Sequence, residues 1–94
     1  MINIKSYLIS YDLNSPGQKY QKISDTIESW NVSRIKPLES VWLVRTSMSA
    51  EQMRDSLKTS ALDSNDLIFI TEMGPDRSGW LYNESWDFIN KEIL

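Results

Sequence analysis

The chain has 94 residues with no cysteine and no histidine. That length closes one core without staples, and the composition excludes disulfides, thiolate catalysis, imidazole metal ligands and Ser-His or Cys-His nucleophilic machinery. A net charge of −3 is the wrong sign for a lone domain that grips duplex nucleic acid by releasing counterions. The longest apolar runs are strand-sized, and Met1-Ile2-Asn3-Ile4-Lys5 has no basic segment leading into an apolar one, so a cytoplasmic protein without membrane span or signal peptide is expected.

Tyr7-Leu8-Ile9-Ser10-Tyr11-Asp12-Leu13 reads as a central strand, because near-continuous apolar content suits a strand covered on both faces. It ends on a carboxylate. Asp12 in that position needs backbone donors, a cation or a metal ion, or else it caps the turn Leu13-Asn14-Ser15-Pro16-Gly17, where Asx bonds, a fixed proline φ and a permissive glycine favour reversal. Tyr20, Ile23, Ile27 and Trp30 recur at steps of three and four and predict an amphipathic helix over 17–30. Its outer face carries Lys19, Lys22, Asp25 and Glu28, ordinarily a solvated surface. Lys19 and Lys22 also follow the Asp12 loop closely enough to meet a phosphate beside free helix amides.

Val32 to Glu39 alternates polar and apolar residues around a proline that cannot donate to a ladder, which suits a short edge strand. Ser40-Val41-Trp42-Leu43-Val44-Arg45-Thr46 is an inner strand by composition, and the short connection makes the pair antiparallel. Ser49-Ala50-Glu51-Gln52 has capping-box spacing. A helix follows, with Ala50, Met53, Leu57 and Ala61 along its apolar stripe and an end near Ala61 or Leu62. Asp63-Ser64-Asn65-Asp66 is a turn cluster before the strand Leu67 to Met73.

The order β-α-β-β-α-β predicts an α+β fold: a single domain over 1–94 whose core, 5–73, is a ferredoxin-like βαββαβ sandwich with both helices on one sheet face. The other face is expected to be open. Alternation puts Tyr7, Ile9 and Tyr11 on one side and Leu8, Ser10 and Asp12 on the other, with Trp42 and Phe69 available on neighbouring strands; an uncovered face of that kind binds a second copy, a base or a ligand. The extension over 74–94 begins with a flexible break, Gly74 to Gly79, then a short strand Trp80-Leu81-Tyr82 and a helix over 84–93 with Trp86, Ile89 and Ile93 in register. Two of the four tryptophans fall in this tail, so it is expected to dock on something.

The set Tyr7-Leu-Ile-Ser-Tyr-Asp12-Leu, Ser40-Val41-Trp42 and Asn65-Asp66-Leu67-Ile68-Phe69-Ile70 resembles the small CRISPR-associated endonuclease family that joins an integrase in spacer acquisition, a superfamily that includes virulence-associated protein D-type toxins. The run from Tyr11-Asp12-Leu13 through Pro16, Gly17 and Tyr20, followed by Leu38-Glu39-Ser40-Val41-Trp42, is closer still to small SinR-like bacterial and phage proteins. The resemblance spans roughly residues 5 to 73. It implies a homodimer in which the Asp matching Asp12 faces its dimer mate and holds a divalent metal. The chain departs from the family in lacking an arginine cluster after Asp12, offering Lys19 and Lys22 there, and in placing Trp42 where phenylalanine is usual.

Three functions follow as expectations. In the first, paired Asp12 carboxylates are both catalytic and metal-ligating, holding Mg²⁺ or Mn²⁺ to activate water in a phosphodiesterase, with Lys19, Lys22 and Trp42 as nucleic-acid contacts. The second is a non-catalytic dimeric adaptor for an integrase-type or antitoxin-type protein or an anti-defence target. The third binds small nucleotides or single strands by stacking bases on Trp42 or Phe69.

Overall fold

The computed structural model describes residues 3–14 and 16–94, with residues 16–18 by backbone alone. Ser15, in the turn expected after Asp12, and Met1 and Ile2 lie outside the described residues. The elements are β1 (Lys5–Asp12), α1 (Pro16–Ser29), β2 (Ser33–Leu38), β3 (Val41–Thr46), α2 (Ala50–Ser60), β4 (Leu67–Glu72) and α3 (Asn83–Phe88), the last continued by a wider turn over Ile89–Ile93. The fold is α+β, with one four-stranded sheet in the order β2-β3-β1-β4 and every neighbouring pair antiparallel.

Local chemistry explains the boundaries. Proline opens α1, where its missing N–H costs nothing, and Asn31, at φ 55°, ends the following turn in the left-handed region that asparagine tolerates. At α2 the amide of Gln52 donates to Ser49 Oγ (3.1 Å) and the amide of Ser49 to Gln52 Oε1 (2.9 Å), the reciprocal box read from the sequence. Beyond Phe88 the amide of Leu94 reaches the carbonyl of Ile89 (2.9 Å), a five-residue bond that widens the helix and sets Ile89 and Ile93 against the sheet.

The sheet is covered on both faces. Tyr7, Ile9, Tyr11, Trp42 and Val44 pack with Ile23 and Ile27 of α1 and Met53 and Leu57 of α2. On the other side Leu43 is buried with Ile89 and Ile93, and Leu8, Ile35, Val41, Leu81 and Trp86 pack around them. The expectation of an open face is thus corrected over β2, β3 and the middle of β1: the tail docks on its own sheet. Ser6 Oγ also donates to the carbonyl of Ile93. No strand forms at Trp80 to Tyr82, because this segment crosses over Leu38, Val41 and Leu43 instead of running along an edge. Leu81 alone turns inward, and Trp80 and Tyr82 stand in solvent. Among the described residues no helix is long and apolar enough to cross a membrane.

Candidate functional site

Asp12 ends β1, exposed, and is paired in register with Leu67. Strand alternation puts it on the tail side of the sheet with Ser10 and Phe69, beyond the area that α3 covers. A shallow depression of about 220 Å³ lies there, lined by Ser10, Tyr11, Asp12, Leu67, Ile68 and Phe69. Asp12 is its one acidic side chain.

The loop beside Asp12 is held by a cluster of which the sequence shows only the turn, Asp63 to Asp66. Asp66 has no side-chain exposure and accepts from the amide of Asn14 (2.9 Å), the amide of Asp63 (3.0 Å) and Lys19 Nζ (2.9 and 3.1 Å). Lys19 Nζ also donates to Asp63 Oδ2 (2.7 Å). The Asp63 amide, then Lys19, then the Asn14 amide favour the charged carboxylate, and together they lower the Asp66 pKa to about 2. The bonds to Asp63 and Asp66 raise that of Lys19. This arrangement ties the β1–α1 loop to the turn before β4, fixing the strand ends that carry Asp12 and Leu67.

Lys19, expected to meet nucleic acid, is therefore already neutralised by two carboxylates. Lys22 is exposed on the outer face of α1, one helical turn from Lys19 and away from the sheet strip that holds Asp12. Trp42 is a correction: it pairs with Ile9, which turns it to the helix-covered face, and it is 8% exposed. A base cannot stack on a ring packed inside the core. Burial also raises the pKa of Tyr11 against a smaller opposing hydrogen bond with Trp42, and Tyr20 lies beside it, with ring centroids 6.1 Å apart.

Of the rings expected to stack bases, Phe69 alone is open, at 67% exposure, and its β4 neighbour Leu67 is 66% exposed. Leu38, on the opposite edge strand β2, and Trp80 and Tyr82 of the tail are exposed as well. The sequence points to Phe69 but not to Leu67, because Leu67 to Ile70 is a continuous apolar run, and only the placement of the tail shows that both stay uncovered. Comparison of the chain with protein-family models, curated proteins and solved structures finds no match.

Proposed function

We propose that this chain is a homodimeric, non-catalytic adaptor with a ferredoxin-like βαββαβ core, of the kind carried by the small CRISPR-associated and SinR-like proteins it resembles. The strand order β2-β3-β1-β4 supports the fold reading. The observation that carries the functional reading is the pair Leu67 and Phe69, two-thirds exposed side by side on the edge strand β4, more open than Leu38, the exposed apolar residue of the other edge strand. Apolar side chains concentrated at one edge of a sheet mark an association surface, and a two-fold arrangement lets one such surface cover another. The mass of the protein in solution tests it, since the adaptor must self-associate and must not turn over substrate.

A second reading, a metal-dependent phosphodiesterase, is favoured by Asp12 itself, exposed at the mouth of its depression. One carboxylate beside a serine hydroxyl and apolar neighbours falls short of the oxygen set that Mg²⁺ or Mn²⁺ takes. Among the described residues no group of three or more acidic side chains completes it, so further carboxylates would have to come from a second chain.

A further inference from the structure

The two edges of the sheet are built differently. β2 presents Lys36 and Pro37, and its ladder to β3 is irregular between Ile35 and Leu38, features by which edge strands refuse a neighbour. β4 has neither proline nor lysine, and its six pairs with β1 run without a register shift. The amide of Met73 donates to the carbonyl of Ser6 (2.8 Å), and in an antiparallel ladder the bonding side alternates along the strand. Thr71, Phe69 and Leu67 therefore bond toward β1. Ile68, Ile70 and Glu72 turn their N–H and C=O outward, where no other described segment hydrogen-bonds them.

We propose that this free edge receives β4 of a second copy, antiparallel about a two-fold axis at Phe69, so that two sheets become one. The proposal rests on the self-association reading and specifies its geometry. About that axis Phe69 faces Phe69 of the second copy, Ile68 faces Ile70 and Leu67 faces Thr71. No charge lies between Leu67 and Thr71, so the central pairs carry no like-charge repulsion, and the next pair sets Glu72 opposite an Asp66 whose carboxylate is already held by Lys19 of its own chain. The depression flanking the edge on the α2 side, about 250 Å³, carries Glu51 and Arg54, charges of both signs that an antiparallel copy can match. Because β2 is blunted, joining two β4 edges uses up the receptive strand of each chain, and the assembly closes at two copies instead of growing into a fibre.

Edge pairing keeps the two β1 strands three strand spacings apart, about 14 Å, whereas face-to-face packing of the sheets brings the Asp12 residues together. The chain has no cysteine, so single-cysteine variants distinguish the two. Directly opposed residues of a non-hydrogen-bonded pair have Cα atoms ~4.5 Å apart, and a disulfide needs less than about 7 Å. Under mild oxidation Phe69→Cys should run mostly as a covalent dimer on a non-reducing gel, and Asp12→Cys and an exposed control, Ser64→Cys, should not. Phe69→Lys, which sets two ammonium groups face to face on an exposed site, should be monomeric with an unchanged circular dichroism spectrum. A dimer in which Asp12→Cys cross-links, or Phe69→Cys does not, overturns the edge geometry while sparing self-association. A wild-type chain that stays monomeric at high micromolar concentration overturns both.

Discussion

Replacing Ile93 with alanine tests whether the last helix is part of the core or an appendage. Ile93 has no solvent exposure and packs with Leu43 and Ile89 on the sheet. The change removes about three buried carbons at ~0.8 kcal/mol each. With the cavity left behind, the expected loss is roughly 3 kcal/mol, inside the ~2–5 kcal/mol range of buried Ile-to-Ala changes. Against a total of about 5–15 kcal/mol for a domain that is a large share, and at ~4–8 °C per kcal/mol for a chain of this size the melting temperature should fall by roughly 12–24 °C. Urea titration followed by tryptophan fluorescence measures it, with the midpoint moving and the slope unchanged. A loss below about 0.5 kcal/mol, the scale of a neutral surface change, would mean that the tail does not cover the sheet and that the whole of that face is open.

Trp42→Ala should be as damaging, at about 3–5 kcal/mol, because the indole is core; near-neutral stability would return Trp42 to the surface and revive base stacking. The Asp66 clamp should be visible in pH. Its pKa when folded, about 2, lies below the ordinary carboxylate value of 3.8, so the unfolded chain binds the proton more readily and the stabilisation, complete above about pH 4, is lost as pH falls toward 2. Asp66→Asn should lower the melting temperature at pH 7 and flatten the acid limb below pH 4; an acid limb identical to wild type would show that the clamp contributes nothing. For the phosphodiesterase reading, millimolar Mg²⁺ or Mn²⁺ should raise the wild-type melting temperature and leave Asp12→Asn unmoved. No rise in wild type would retire Asp12 as a metal ligand.

The features that were legible in the sequence are those set by near neighbours. Ser49 and Gln52 are three residues apart and form the expected box, Pro37 marks β2 as an edge, and Trp86, Ile89 and Ile93 show one apolar stripe. That stripe says a face is buried without saying against what, so the tail was expected to seek a partner when its own sheet supplies one. Trp42 illustrates the limit within a strand: its side is set by the pairing of β1 with β3, and a slip of one residue reverses it. The Lys19–Asp66 contact joins residues 47 apart, a distance at which charge pattern alone names no pairs. Asp12 was recognised as the strand end, but its surroundings depend on where β4 lies and what the tail leaves bare.

Self-association is the claim on which the functional account turns, and molar mass by light scattering tests it most directly. Across the micromolar range the wild-type chain should approach about twice the 11.0 kDa chain mass, while Phe69→Lys stays at the chain mass with its fold intact. A wild-type mass that remains at 11.0 kDa up to the highest concentration reached, or a Phe69→Lys variant as dimeric as wild type, would contradict the account.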